Sequence, residues 1–348
     1  MKKTELLCIG NPIVDVFADI DSNLAAKYGI LDPAQHIDAE MAQALLREPA
    51  FDFENALKSS GGGAANVAKI SAMLGLNTAF FGSIGQDEYA ALFEREITGA
   101  GVNAVLKKSN EKTGICFVCN VEGETRFAAC PGAALELAES DASEELIGST
   151  EVVVVDGYIL NRRPLVQRIL RLASRRGIPV ALDVASVFQV RGKTEEILTY
   201  SRNYPLIIFM NADEALVFFN IIRNRRDEKI NLPEKEKESI ILRDVCPMFK
   251  IISGSELFPI MVVKLGSRGA VVVAGGNVYH EDTFHIIPRD SVGAGDSFCA
   301  AFISAWIRGK SISECAALGN KVAGEILKVT GTHVRKDKLK KFLKVLQR

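Results

Sequence analysis

The alternation that begins at Glu151 constrains the fold of this chain more than any other stretch. Residues 152–155 are an unbroken valine run closed by Asp156-Gly157. Residues 165–176 carry apolar positions at helical spacing and stop at Gly177, and residues 180–183, 191–200 and 206–210 repeat the strand–helix–strand pattern. Strands without polar alternation are buried on both faces, the mark of a parallel sheet covered by helices. Successive β-α units join one sheet through right-handed crossovers. The expected fold is therefore α/β: a doubly wound, mainly parallel sheet flanked by helices. Residues 6–10 and 79–84 read as further buried strands, Gly101-Val102 as part of another, and 260–265 and 270–273 as a strand pair around the turn 266–269. Ligands of such sheets bind beyond the carboxyl ends of the strands. Asp156, Asp183 and Asn211 fall there, although Asp and Asn are also ordinary strand-end turn residues.

A second group of segments does not fit that sheet. Residues 113–120 and 125–130 flank Glu122-Gly123-Glu124 as a hairpin, and hairpins are antiparallel. Together with residues 13–20 they belong in a small sheet beside the main body, formed from parts of 11–60 and 109–131. Residues 34–58 read as mostly helical and polar. In the strand 13–20, Asp15 interrupts an apolar run, so it either faces solvent or is kept for a polar ligand. Residues 223–244 stand apart: thirteen of the 22 are charged, with both signs interleaved. They read as a solvated insertion reaching about residue 255, not as a nucleic-acid patch.

Two glycine-rich stretches each open a helix. In Asp290-Ser291-Val292-Gly293-Ala294-Gly295-Asp296-Ser297-Phe298 the glycines precede an apolar face at Phe298, Ala301, Phe302, Ala305 and Trp306. Small residues let backbone N–H groups approach a ligand, and a helix start attracts anions, phosphate above all. Asp296 is then either a helix cap or a carboxylate placed to take a proton beside a bound phosphoryl group. Upstream, Gly61-Gly62-Gly63 precedes a helix with Val67, Ile70 and Leu74 on one face and Asn66 in its first turn. That stretch is either a hinge or a second helix start presented to a ligand.

The string 290–298 closely resembles D-T-x-G-A-G-D-x-F, the C-terminal signature of the PfkB/ribokinase family of carbohydrate and nucleoside kinases; Ser291 stands where Thr is usual and keeps the hydroxyl. Residues 61–66 resemble the family's G-G-x-x-x-N signature, with Gly63 where ribokinases usually have Lys, which counts against ribose. Gly10-Asn11-Pro12 with Asp15 resembles the opening of adenosine kinases. The resemblance covers most of the chain outside residues 223–255. It implies ATP-dependent phosphorylation of a sugar or nucleoside hydroxyl. Asp296 would be the general base, with the loop Gly293, Ala294, Gly295 and Asp296 as the anion hole, the backbone N–H groups of its last three residues holding the charge on the transferred phosphoryl. Asp15, Gly61, Gly62 and Asn66 would bind the acceptor under a lid formed by the small sheet.

For the nucleotide, the resemblance points to Asn211, Lys264, Gly266, Gly269 and Asn320; Lys264 stands where Thr is common and could serve a phosphate, the adenine edge or solvent. Asn211 and Glu214 form a helix capping box in their own right, while the matching family motif places the Glu near Mg²⁺ through water. Asp290 and residues 330–332 resemble the parts that bind a monovalent cation, K⁺, in several relatives. A non-catalytic member acting as a ligand sensor or scaffold is the rival reading; intact Gly293, Gly295 and Asp296 argue against it. The opening around Asp15 leans toward nucleosides, whereas residues 61–65 also suit a fructokinase-like sugar site.

Composition adds exclusions. With 42 basic against 43 acidic residues over 348, net charge is −1, so no global field favours nucleic acid or membrane. Neither a signal peptide nor a bilayer-spanning run is read, and one domain over residues 1–348 is expected. Seven scattered cysteines suggest a reducing cytoplasm, and Cys116 and Cys119, despite their C-x-x-C spacing, read as buried strand residues. A monomer and a lid-paired dimer both stay open.

Overall fold

The computed structural model describes residues 3–32, 34–49, 55–224, 232–253, 260–331 and 336–347. The strands in chain order are β1 Thr4–Ile9, β2 Ile13–Ile20, β3 Ala34–His36, β4 Lys58–Gly61, β5 Thr78–Ile84, β6 Asn103–Lys108 and β7 Gly114–Val121, then β8 Glu124–Cys130, β9 Thr150–Asp156, β10 Val180–Asp183, β11 Leu206–Asn211, β12 Ile260–Lys264, β13 Ala270–Ala274 and β14 Asn277–Glu281.

Nine of them form one sheet in the order β14-β13-β12-β11-β10-β9-β1-β5-β6. The pairings are parallel from β6 across to β12, and β13 and β14 add an antiparallel edge. Alternate residues along β1 reach opposite layers of the core. Leu6 and Cys8 pack with the helices Gly63–Met73, Ala294–Ile307 and Ile312–Ile326. Leu7 and Ile9 pack with Arg163–Arg175, Val187–Asn203 and Ala212–Ile222. This two-sided burial is why the strands read as continuous apolar runs. β5, the next strand of this sheet along the chain, lies on one side of β1 and β9 on the other, so the strand order reverses there and a crevice opens at its carboxyl end, the usual ligand position in such sheets.

The remaining strands form a five-stranded sheet, β3-β8-β7-β2-β4. β7 and β8 are the antiparallel hairpin, β4 runs antiparallel to β2, and β2 with β7 and β3 with β8 are parallel. One face, including Val14, Val16, Ile115, Phe117 and Ala128, shares a core with Ala25 and Tyr28 at the helix Ser22–Lys27 and with Ala42 and Leu45 of Ala39–Leu46. The other face presents Ile13, Phe17, Cys116, Val118, Phe127 and Ala129, packed with Ala134 and Val292.

Three expectations change. Residues 34–58 hold β3 and the first residue of β4 as well as a helix, and β6 starts at Asn103 because Gly101 makes the turn before it at φ +98°. Residues 234–253 are not a solvated insertion. They run as consecutive helical segments, with Ile241, Val245, Cys246 and Phe249 buried in the core and Phe249 stacked on Phe218. The charge count over 223–244 takes in only Ile241 of these anchors and stops just short of Val245, Cys246 and Phe249. Residues 225–231 and 254–259 lie outside the described residues. Cys116 and Cys119 are buried on opposite faces of β7, and the seven cysteines are free. Among the described residues no helix is long and apolar enough to cross a membrane.

Candidate active site

Two helix starts meet at the crevice. Gly293 caps Ala294–Ile307 at φ +76°, a left-handed conformation that favours glycine, and it has no side chain to accept from the first-turn N–H groups. The N–H of Ala294 is directed at Ser291 O (3.3 Å), leaving Gly295 and Asp296 in the first turn, where N–H groups have no intrahelical acceptor. Gly62 caps Gly63–Met73 at φ +91°, again without a side-chain cap. A Cβ at Gly62 would run into the carbonyl oxygen of Asn11, and one at Gly61 would overlap the carboxylate of Asp15. These glycines therefore bring the backbone against β1's end and leave room for Asp15.

The two starts are joined by a side-chain bond: Asn66 Nδ2 donates to Asp296 Oδ2 at 2.8 Å, across 230 residues of sequence. The other oxygen, Asp296 Oδ1, lies 3.5 Å from where a Cβ on Gly63 would stand, and Asp156 Oδ2 lies 3.4 Å from the same point. Burial pushes Asp296 up to about 6; the Asn66 hydrogen bond pulls it back and Asp183 pushes it further. Burial also pushes Asp15 up to about 7, with Lys69 opposing and Asp296 and Asp290 adding to the rise. Asp156 is buried and pushed up to about 6, again chiefly by burial. Its Oδ1 accepts from the Tyr158 N–H, but its Oδ2 has no hydrogen-bond partner. The crevice is thus lined by carboxylates that hold negative charge reluctantly, a chemistry suited to accepting hydroxyl protons.

On the far side of the Gly293 start lies a second cluster. Asn211 accepts from Glu214 N at 2.9 Å, while Glu214 accepts from Asn211 N at 2.7 Å and Nδ2 at 2.8 Å, so the capping-box geometry is present. Glu214 is buried and pushed up to about 7 by that burial, with Lys264 opposing. Lys264 pairs with Asp183 at 2.8 Å. A cavity of ≈ 260 Å³ is lined by Asn211, Asp213, Glu234, Lys237, Lys264 and Gly266, among others.

Not every expected residue reaches these clusters. Gly269, at φ +80°, lets the backbone close against Glu281, whose carbonyl a Cβ would strike. Asn320 donates to the carbonyls of Glu281 (2.9 Å) and Asp282 (3.2 Å), holding the end of β14. Neither lines that cavity. Asp290 accepts from Val292 N at 3.0 Å and Gly331 N at 2.6 Å, tying the glycine loop to the C-terminal one; Thr332 lies outside the described residues. Two further residues reach the site without a sequence motif: Lys69, buried behind Asp15 and donating to Ser60 O and Oγ, and Arg162, which donates to Asn11 Oδ1 and the Ala134 carbonyl. A lysine three residues after Asn66 on the same helix face was the one available signal for the first; nothing local marks the second. The charged segment contributes Glu234 and Lys237 to the cavity, and its charge pattern alone did not show that.

Comparison with known proteins places the chain in company. The model of the pfkB family carbohydrate kinases matches residues 26–246 and 248–338. The chain is 25% identical to adenosine kinase 2 of Arabidopsis thaliana over 94% of both chains. It is 24% identical to a 5-dehydro-2-deoxygluconokinase of Bacillus licheniformis over 78% of this chain and 81% of that one. Among solved structures, a probable sugar kinase from Rhizobium etli aligns at TM-score 0.82 with 25% identity, over 98% of each chain. An adenosine kinase from Sinorhizobium meliloti aligns at TM-score 0.82 with 24% identity, over 97% of this chain and 99% of that one, which speaks for the shared ribokinase-like fold.

Proposed function

The chain belongs to the pfkB family of carbohydrate kinases, and on that premise we propose that it transfers the γ-phosphoryl group of ATP to a hydroxyl of a nucleoside. The observation that carries this reading is the Asn66–Asp296 bond at 2.8 Å, which sets a carboxylate at the anion-attracting end of a helix beside a hydroxyl-binding crevice. Asp15 and Asn66 hold the acceptor's hydroxyls. Asp296 Oδ1, the oxygen not engaged by Asn66, takes the acceptor proton as the acceptor oxygen bonds to the γ-phosphorus. The bond to the β–γ bridging oxygen breaks and ADP leaves. First-turn N–H groups at Gly295 and Asp296 meet the charge on the phosphoryl oxygens, and positioning supplies most of the catalysis because the transition state is loose.

Mg²⁺, when bound with the nucleotide, neutralises phosphate charge. Among the described residues no group of three or more His, Cys, Asp or Glu could cage a metal, and Glu214 with its raised pKa suits a hydrated ion carried mainly by phosphates. Asp290, already bridging two loops, is the residue beside which K⁺ would sit, and no step depends on it.

A nucleoside is favoured over a sugar acid by the walls of the crevice. The face of the small sheet that carries Asp15 also carries the half-buried Phe17, Phe127 and Ala129, packed with Val292 of the glycine loop, an apolar surface for a base. Asp156 and Asp296, whose carboxyls titrate about a unit below neutrality, would disfavour an anionic substrate beside them. The small sheet acts as a lid that excludes water from the phosphoryl group. Its other face is covered by the protein's own helices, which favours a monomer. The test is ATP consumption over a panel of nucleosides, neutral sugars and sugar acids. Turnover with a nucleoside is expected; turnover only with sugars overturns the nucleoside assignment, and ligand binding without any turnover favours a sensor.

A further inference from the structure

Lys264 occupies a place that the transfer step above leaves unused. Its Nζ lies 2.8 Å from Asp183 Oδ2 and 3.3 Å from the point where a Cβ on Gly295 would sit. The ammonium thus packs in tight contact with position 295, directly against the first turn of the helix Ala294–Ile307. Lys264 also lines the ≈ 260 Å³ cavity that opens onto Asn211 and Gly266. It therefore touches both the anion-attracting helix start and the space beside it.

The charges around it define what it does. Burial works against the ammonium, but Asp183 and Glu214 outweigh burial and hold it charged, and Lys264 in turn lowers the pKa of Asp296. Without the lysine, this wall would present Asp183, Glu214 and Asp296, three carboxylates, to a triphosphate. A helix start contributes only about half a positive charge, and a phosphoryl group in transit spreads its negative charge over equatorial oxygens. A full charge fixed beforehand by an ion pair meets that charge without reorganising.

We infer that Lys264 is a catalytic residue, donating N–H to a non-bridging oxygen of the phosphoryl group as it passes, and that Asp183 is a positioning residue that holds the ammonium against Gly295. The lysine gains and loses no proton, so the balance of the step is unchanged. This inference rests on the kinase reading. Absence of turnover in the wild type sinks that reading, whereas unchanged turnover in a Lys264 variant of an active wild type sinks only this one.

The experiment compares Lys264→Met and Lys264→Arg for kcat, KM of each substrate, affinity for a non-hydrolysable ATP analogue, and melting temperature. Lys264→Met is expected to lower kcat by about 10²–10³-fold and to weaken the ATP analogue, leaving acceptor affinity unchanged. Lys264→Arg, which keeps the charge, recovers at least tenfold over Lys264→Met. Asp183→Asn lowers kcat less, and the double variant with Lys264→Met is no worse than Lys264→Met alone. A folded Lys264→Met with kcat within threefold of wild type, or an Arg variant no better than Met, overturns the inference. If Lys264→Met does not fold, Asp183→Asn decides: a kcat loss with unchanged acceptor KM supports the assignment, and unchanged kcat refutes it.

Discussion

Gly62 and Gly293 begin their helices in the same way, yet different charges stand beside the two starts. Seven of the described α-helices open on a side-chain cap, from Asp21, Asp38, Asp87, Ser143, Ser186, Asn211 or Ser311. These two open on glycine at positive φ with no cap, so their first N–H groups are left for something else. Around the Gly62 start stand Asp156 and Asp296, each 3.4–3.5 Å from where a Cβ on Gly63 would be. On the proposed kinase reading, the neutral hydroxyls of the acceptor lie there. Against the Gly293 start stands Lys264. A glycine-rich helix start does not choose its ligand; the formal charges placed beside it by other elements do.

That contrast can be broken in graded ways. The largest effect is expected from Asp296→Asn, the residue shared by both starts. Turnover falls at least about 10³-fold, while calorimetric titration finds nucleotide affinity within a few-fold of wild type. A variant keeping a tenth of the activity removes Asp296 as the base.

Alanine at the two caps separates them by stability. Gly62→Ala meets both the φ of +91° and the Asn11 carbonyl, and should cost roughly 3 kcal/mol or more. Gly293→Ala meets the left-handed φ of +76° and should cost roughly 1–2 kcal/mol. Urea titration of both reads the difference, and equal losses would mean that the Gly62 start is not sealed against Asn11.

Asn66→Ala removes the bond joining the starts. An order-of-magnitude drop in kcat/KM for the acceptor is expected, roughly 1.4 kcal/mol, with nucleotide affinity unchanged. The acidic limb of the pH profile should also move up, since that hydrogen bond lowers the pKa of Asp296. In the wild type, burial sets this limb near pH 6: below it Asp296 is protonated and cannot accept a proton. A limb near pH 4 would show an exposed, unshifted base.

The smallest effect is on stability. The pKa of Asp296 is raised from 3.8 to about 6, so its charged form costs the fold stability, fully above the folded value and not at all below the unfolded one. Asp296→Asn should therefore melt about 1–3 °C higher at pH 8 and show no gain near pH 3. Lower stability at pH 8 would mean that the carboxylate is held favourably after all.

Much of this was legible in the chain itself, because the relevant physics is local. Apolar runs without alternation marked the parallel strands, the Glu122-Gly123 turn marked the hairpin, and glycines followed by an apolar helical face marked both uncapped starts. Asn211 and Glu214 announced their capping box by spacing alone. Periodicity and capping record what a residue does with neighbours a few positions away. They carry nothing about partners brought in by the winding of the sheet. Asn66 meeting Asp296, Asp156 turning a bare oxygen into the same crevice, Lys264 lodged against Gly295, and Ile241 and Phe249 anchoring a segment that looked solvated were all settled by topology. Charge acts through space rather than along the chain, so the sequence determined which backbone groups would be free, and only the tertiary structure decided which ligand each could hold.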